Sequence, residues 1–179
     1  MPNYCHNDLY INGPRADVDA FLELVGMNRE VPTFDFESVL PYPENFKALD
    51  DERRELEKEL GWSKASKEML SRHGVADGYN SGGYEWCIAN WGTKWNASDV
   101  VRRDYVGPCV TFQTAWGPPT NVIEALHKRF PMLTLSLEYF ERGMDFCGGV
   151  MFRRADELDD GEDPKTSWKL KGYRGRRGG

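Results

Sequence analysis

The chain has 179 residues, of which 40% are hydrophobic and 13% aromatic, and a formal net charge of −6. These values suit one soluble domain with a buried core and exclude a wholly disordered chain. No apolar run approaches the about 20 residues of a membrane-spanning helix, and the polar start is unlike a signal peptide, so we expect a cytoplasmic protein without membrane contact.

The first elements in chain order are a strand and a helix. Leu9 and Ile11 alternate with polar neighbours and with Tyr10, which predicts a strand with one apolar face. A Gly-Pro pair then ends the strand, and apolar residues from Val18 to Val25 recur at helical spacing. This pattern indicates a strand–helix unit.

Residues 27–85 differ in composition from this unit. Two prolines within three residues predict an irregular connection, and the sequences DDERRELEKEL and SKASKEMLSRHG predict two helices. The stretch VADGYNSGGY that follows is rich in glycine. We interpret the whole region as a helical insertion laid over a smaller core.

The strand pattern returns after residue 93. The sequence CVTFQTAW alternates, TNVIEALHKRF has one apolar helical face and ends at Pro131, and LTLSLEYF and MDFCGGVMF predict two further strands. Gly148 and Gly149 inside the last strand indicate a bulge or a close approach of another group.

The order of these elements predicts an α+β fold. Two strand–helix units with antiparallel strands between them are typical of the split βαβ, ferredoxin-like sheet with helices on one face. We expect residues 1–154 to form one domain of this kind, with its other face either covered by the insertion or used for binding. Residues 155–179 are highly charged and rich in glycine, so we predict a disordered tail.

The stretch WCIANWGTKW holds three tryptophans whose spacing fits neither one strand face nor an uninterrupted helix. Large aromatic side chains are usually buried, so we expect Trp86, Trp91 and Trp95 to pack beside Trp116 as structural core. The alternative is a stacking platform for a ligand, in which Lys94 supplies the cation.

The sequence contains none of the common catalytic motifs. GxxxxGK[ST], HExxH, GxSxG and a helix-opening GxGxxG are all missing, and we therefore expect a protein that is not an enzyme and has no metal or cofactor. Two alternatives stay open: a zinc site built from the distant residues Cys5, His6, Cys87 and Cys147, and a nucleophilic pair of Cys109 with His6.

Charge is distributed unevenly along the chain. Residues 165–179 hold six basic side chains and no acid, and without these six charges the rest of the chain carries −12. An acidic body attracts basic protein surfaces and repels phosphate backbones. A protein partner with a basic surface therefore fits the body better than nucleic acid does.

Candidate binding residues lie on the strands and in the tail. Tyr10 and Phe140 are expected on exposed strand faces, Lys94 lies beside the tryptophans, and Glu138 and Asp145 flank a hairpin as an acidic pair. The Arg/Gly-rich end KGYRGRRGG is typical of sequence-tolerant contacts with single-stranded nucleic acid. Its candidate residues are Arg174, Arg176 and Arg177.

Three stretches carry a family resemblance: MPNYCHNDLYINGP at the start, WGTKWNASD at 91–99, and FQTAWGPPTNVIEALHKRFPMLTLSLEYFERGMDFCG at 112–148. Together they resemble the YubB-type, or Api92-like, ferredoxin-like domain proteins of phages, conjugative plasmids and genomic islands. The resemblance implies a ferredoxin-like core and accessory work in a mobile genetic element, and it supplies no catalytic residue. Tyr4 stands where the family commonly has tryptophan.

These observations support three hypotheses about function. We expect an accessory protein that binds a host protein through its acidic surface, such as a counter-defence inhibitor of the anti-restriction or anti-CRISPR type. The alternative is a single-stranded nucleic-acid binding protein that uses the sheet aromatics and the Arg/Gly-rich tail. An enzyme of unrecognised chemistry is the third, and the sequence leaves the oligomeric state open.

Overall fold

The computed structural model describes residues 3–104 and 107–171, and these contain one six-stranded sheet. The order across the sheet is β2-β3-β1-β4-β5-β6, and each neighbouring pair is antiparallel. The strands are β1 (Tyr4–Asn12), β2 (Ser98–Arg103), β3 (Cys109–Ala115), β4 (Thr134–Glu141), β5 (Phe146–Phe152) and β6 (Lys165–Lys171).

The described residues also form five α-helices and three short 3₁₀ turns. The helices are α1 (Arg15–Leu24), α2 (Glu44–Leu60), α3 (Trp62–His73), α4 (Gly83–Trp91) and α5 (Thr120–Arg129). In the part of the chain that is described, none of these helices has both the length and the apolar composition needed to cross a membrane.

The predicted α+β, ferredoxin-like fold class is confirmed. In chain order β1, α1, β2, β3, α5 and β4 form the split βαβ arrangement, in which β3 pairs between β1 and β2. The insertion between α1 and β2 contains α2, α3 and α4, so it extends beyond residue 85. Strands β5 and β6 continue the sheet on the far side of β4.

One face of the sheet, here called the covered face, carries the main hydrophobic core. Leu9, Phe112, Leu137 and Val150 point to this side and are buried beneath α1 and α5. The insertion joins the same core through its own buried side chains, which are Phe34, Phe36, Cys87 and Trp91. The insertion therefore thickens the helical layer.

The opposite side, here called the open face, carries the alternate residues of each strand. Strand register places His6, Asp8 and Tyr10 of β1 on this side, together with their cross-strand partners on β3 and β4. These side chains are half-buried or exposed, in contrast to their neighbours along the strand. The described part of the insertion packs into the core on the covered face, and the polar and aromatic side chains of the open face make it a candidate binding surface.

The predicted start of the disordered tail is wrong. Ala155–Glu157 form a 3₁₀ turn and Lys165–Lys171 form β6, which pairs with β5 along its whole length. The outer edge of β5 supplies main-chain hydrogen-bond partners that composition alone does not reveal. The last part of the tail prediction, residues 172–179 with Arg174, Arg176 and Arg177, lies outside the described residues.

The two outer strands of the sheet have different irregularities. In β2 the register with β3 shifts between Ser98 and Val101, and Asp99 within this bulge has a positive φ of 49°. Strand β6 has regular register with β5 and carries lysines at positions 165, 169 and 171.

Candidate functional site

The centre of the open face holds a stacked pair of rings. His6 and Phe140 lie directly opposite each other on β1 and β4, with their ring centroids 4.5 Å apart and their planes within 5° of parallel. Tyr10, four residues along β1 from His6, is 47% exposed. The predicted positions of Tyr10 and Phe140 on the open face agree with this geometry.

Two carboxylates face each other beside the stacked rings. Asp8 and Glu138 are cross-strand partners on β1 and β4, and the Thr111 hydroxyl donates a hydrogen bond of 2.8 Å to Asp8 Oδ1. Like charges directly opposite each other in an antiparallel pair are destabilising. The pair makes this part of the open face acidic, a property that a basic ligand would match.

Strand β6 adds an indole to this surface. Trp168 is the cross-strand partner of Gly149, and a Cβ atom on Gly149 would collide with the indole ring. The register of β5 with both neighbours is continuous. Of the two predicted explanations for Gly148 and Gly149, the close approach is therefore confirmed and a bulge is not observed.

The predicted acidic pair of Glu138 and Asp145 is not brought together. Glu138 lies within β4 opposite Gly149, whereas Asp145 lies in the β4–β5 turn, beyond the last ladder pair of Glu141 with Phe146. Asp145 has a positive φ of 52°. The carboxylate that Glu138 faces is Asp8, which sequence reasoning missed because the register of β1 with β4 is not encoded locally.

The three tryptophans of WCIANWGTKW divide into two environments. Trp91 is only 4% exposed and donates an indole hydrogen bond of 2.9 Å to the Leu40 carbonyl. Trp86 is half-buried against the same core and meets Trp91 edge-on, with ring centroids 5.5 Å apart. The structural role predicted for these two residues agrees with their packing.

The prediction that Trp95 and Trp116 belong to the core is wrong. Their side chains are 42% and 43% exposed. Helix α4 ends at Trp91, and Gly92 follows it in a left-handed conformation, which interrupts the helical spacing before Trp95. Lys94 Nζ lies 4.1 Å from the centroid of the Trp95 ring and 5.5 Å from that of Trp116.

Backbone conformation explains why strand alternation failed for Trp116. This residue follows the last residue of β3 and has a φ of 73°, a region that bulky residues rarely adopt. Its N–H donates a hydrogen bond of 2.9 Å to the Asn3 carbonyl. The positive φ breaks the alternation, so Trp116 does not join Phe112 and Thr114 on the covered face.

A groove of about 380 Å³ adjoins this tryptophan pair, on the side of the insertion. Its aromatic lining comes from Tyr42, Tyr79, Trp91 and Trp95. Burial raises the pKa of Tyr79 to about 12. The pKa of Tyr42 is also raised, first by burial and then by its hydrogen bond to Asp50, and both phenols are therefore neutral at physiological pH.

The comparisons with known proteins agree with this geometry. Residues 90–170 match the model of a family described as a ferredoxin-like domain in Api92-like protein. Residues 90–170 are thus similar to an Api92-like ferredoxin-like domain. The resemblance inferred from the sequence is thereby confirmed for this region, which runs from the end of α4 into β6.

One solved structure is similar to nearly the whole chain. The crystal structure of a protein api92 from Yersinia pseudotuberculosis is 11% identical, with a TM-score of 0.50, and the match covers 97% of this chain and 100% of that chain. At this identity the likeness shows the fold alone. No curated protein matches the chain.

Within the described residues, the predicted alternatives for chemistry are not assembled. Cys109 lies opposite Tyr10, whereas His6 lies opposite Gln113, which separates Cys109 from His6 by about 13 Å of strand. Cys5 is on the covered face, and Cys87 is on α4, away from His6. Among the residues described, no three histidine, cysteine or acidic side chains cluster closely enough to hold a metal ion.

Proposed function

We propose that this protein is a non-enzymatic binding protein that receives a basic segment of a partner protein on its open face. The observation that carries the proposal is the pair of facing carboxylates, Asp8 and Glu138, next to the stacked rings of His6 and Phe140. An arginine or lysine side chain would match both the acidic and the aromatic character of this surface.

The chemistry of this surface suits a guanidinium group best. Arginine donates paired hydrogen bonds to carboxylates and also stacks on aromatic faces. Asp8 and Glu138 supply the acceptors, and Phe140 and Tyr10 supply ring surface for a cation–π contact. Surfaces that combine aromatic rings with a few fixed charges are also typical of protein interfaces.

The acidic side chains of α2 and α3 are a weaker candidate for binding a basic partner than the open face is. On α2 and α3 several carboxylates already pair with cations of the same helices. The pairs are Asp51 with Arg54, Glu55 with Lys58, and both Glu52 and Glu68 with Arg72. Much of the negative charge of this region is therefore neutralised locally, which weakens the idea that it imitates the charge of DNA.

A non-enzymatic role is supported by the state of the thiols. Burial raises the pKa of Cys5 to about 12 and that of Cys87 to about 11, and it also raises the pKa of Cys109. A thiol with a raised pKa is a poor nucleophile at neutral pH because the reactive species is the thiolate.

The biological setting in this proposal rests on the family resemblance. It supports accessory work in a phage or other mobile element, in which the partner is a basic protein of the host cytoplasm. Blocking a host defence component, as an anti-restriction or anti-CRISPR protein does, is the role in that setting that an accessory binding protein of this kind suits best.

Calorimetric titration with an arginine-rich peptide tests the proposal. The double variant Asp8→Asn/Glu138→Gln keeps the shape of both side chains and removes their charge, and we expect it to weaken binding at least about tenfold. The matched control is Glu44→Gln/Glu59→Gln, which makes the same change in net charge at exposed positions on α2. This control should weaken binding much less.

Two results would contradict the proposal. Equal losses in the two double variants would mean that the peptide responds only to net charge. A single-stranded oligonucleotide that binds the open face more tightly than the peptide would favour the nucleic-acid alternative instead.

A further inference from the structure

A second site, separate from the open-face carboxylates, lies where the groove meets Lys94, Trp95 and Trp116. We infer that this site binds a nucleotide unit, with its base stacked on a tryptophan ring and its phosphate on the Lys94 ammonium. The inference rests on the charges of the groove, on the two exposed rings and on the conformation of Trp116.

The charges of the groove leave Lys94 as its available cation. Lys47 pairs with Glu37 and Arg54 pairs with Asp51, each at 2.9 Å. In the part of the chain that the structure describes, Lys94 has no such carboxylate partner, and its ammonium instead lies over the Trp95 ring. An anionic group is therefore the natural ligand for Lys94, as phosphate is for many lysines.

The third acid of the groove is also engaged. The Tyr42 hydroxyl donates a hydrogen bond of 3.0 Å to Asp50 Oδ2, and the Tyr79 backbone N–H donates one of 2.9 Å to Asp50 Oδ1. Because Asp50, Asp51 and Glu37 are all held by partners inside the groove, the repulsion that the acidic body exerts on a phosphate is reduced at this position.

The two rings supply surface for stacking. Trp95 and Trp116 are both more than two-fifths exposed, although tryptophan usually gains from burial. Stacking on an exposed aromatic ring is the usual way in which proteins hold an unpaired base. Since the Lys94 ammonium is within cation–π distance of both rings, a stacked base and its phosphate can be bound together.

The strained backbone conformation of Trp116 supports a role for this residue in binding. A tryptophan with a φ of 73° is strained, and glycine would adopt this conformation without cost. Strained residues of this kind cluster at binding sites, where the surrounding structure holds them in place. Here the strain keeps an indole within 5.5 Å of Lys94 and away from the core.

The size of the groove favours a small planar ligand over a protein surface. Its volume of about 380 Å³ is within the roughly 300–1,000 Å³ of small-molecule sites. Aromatic walls from Tyr42 and Tyr79 suit a flat ring, and one cation at the rim suits one phosphate. A nucleotide unit has both parts, and it can come from a free nucleotide or from the end of a single strand.

Nuclear magnetic resonance with indole assignments tests the site directly. Adenosine monophosphate and an eight-residue oligothymidylate are titrated separately into the full chain. We expect both probes to shift the Nε1–H signals of Trp95 and Trp116 while leaving that of Trp168, on β6 at the other end of the sheet, unchanged. Tighter binding of the oligonucleotide would identify a strand end as the source, and equal binding would identify a free nucleotide.

Two variants separate this site from general charge and from folding. Lys94→Met should weaken adenosine monophosphate about tenfold or more, whereas Lys67→Met, an exposed lysine on α3, should leave binding within about twofold. Trp116→Gly should also weaken binding about tenfold, yet it should melt at the same temperature as the wild type or higher because glycine removes the strain.

Several results would overturn the inference. Unshifted Trp95 and Trp116 signals with both probes at millimolar concentration would refute it, as would full binding by Lys94→Met. Shifts of the same signals with the arginine-rich peptide but not with nucleotides would mean that these tryptophans contact a protein. The variant Asp8→Asn/Glu138→Gln should bind nucleotide normally, so this test and that of the open face can fail independently.

Discussion

Leu137 and Glu138 are consecutive residues of β4, yet they lie in opposite environments. Leu137 is fully buried on the covered face with the apolar side chains of α1 and α5, whereas Glu138 faces Asp8 on the open face. The covered face buries apolar side chains, whose burial favours folding, whereas the open face carries charged and aromatic side chains. This contrast suggests that stability is supplied by one side of the sheet and recognition by the other.

The largest expected difference in stability between a buried and an exposed side chain is that between two tryptophans. Trp91→Ala removes a buried ring and should lower the free energy of unfolding by about 3–5 kcal/mol. Trp95→Ala removes an exposed ring with one cation–π contact and should cost about 1 kcal/mol or less. Urea denaturation of both variants measures the difference, and a similar loss for both would mean that Trp95 belongs to the core after all.

The next largest difference in stability is expected between two residues of β4. Leu137→Ala should cost about 2–5 kcal/mol because it leaves a cavity on the covered face. Phe140→Ala loses mainly its cross-strand contact with His6 and should cost about 1 kcal/mol. If thermal or urea unfolding gives the larger loss for Phe140→Ala, the open face is part of the stabilising core.

Substitution of Gly149 tests how closely β6 is fitted to the open face. Gly149→Ala places a methyl group against the indole of Trp168, and overpacking of this kind costs about 1–3 kcal/mol. Gly117→Ala is the matched control, since a Cβ there makes only an ordinary contact. Unchanged unfolding and unchanged Trp168 fluorescence in Gly149→Ala would show that the indole does not rest on β5.

Stability should decrease at low pH because His127 is buried against the covered face. This imidazole is stacked on Phe152, and burial lowers its pKa in the folded protein. The unfolded chain then binds the proton more readily, so the stability that the neutral ring contributes is lost as pH falls below about 6.5. Melting temperatures from pH 8 to 5 should fall less steeply for His127→Asn than for the wild type.

The smallest expected effect concerns the ion pair that joins α5 to β6. Hydrogen bonds from Lys165 and Lys128 lower the pKa of Glu124 to about 2. The carboxylate therefore contributes stability above its ordinary pKa of 4.5 and loses it as pH falls toward 2. Glu124→Gln should cost under about 1 kcal/mol at pH 7, and a difference that persists at pH 2 would contradict this explanation.

Local patterns in the sequence were sufficient to predict most of the ferredoxin-like core. The alternation of Leu9 and Ile11 with Tyr10 placed β1 and both of its faces correctly, because strand periodicity depends only on neighbouring residues. The spacing from Val18 to Leu22 likewise predicted the buried side of α1. These signals are local, and a single sequence contains them in full.

Other features depend on distant partners and were missed for that reason. Strand β6 has a charged composition that resembles a disordered tail, and it is ordered by the free edge of β5. The facing of Asp8 and Glu138 follows from the register of strands 130 residues apart in sequence. The exposure of Trp116 was missed because this residue has a positive φ. The alternation of residues in β3 does not reveal that conformation.

The two outer strands carry features that oppose the addition of a strand from another copy of the chain. An exposed strand edge is a template on which another chain can add a strand and begin aggregation, and proteins discourage this with bulges and lysines. The register shift near Asp99 interrupts one edge, and Lys165 and Lys169 place positive charge along the other. Strand addition is thus disfavoured at both edges of the described sheet.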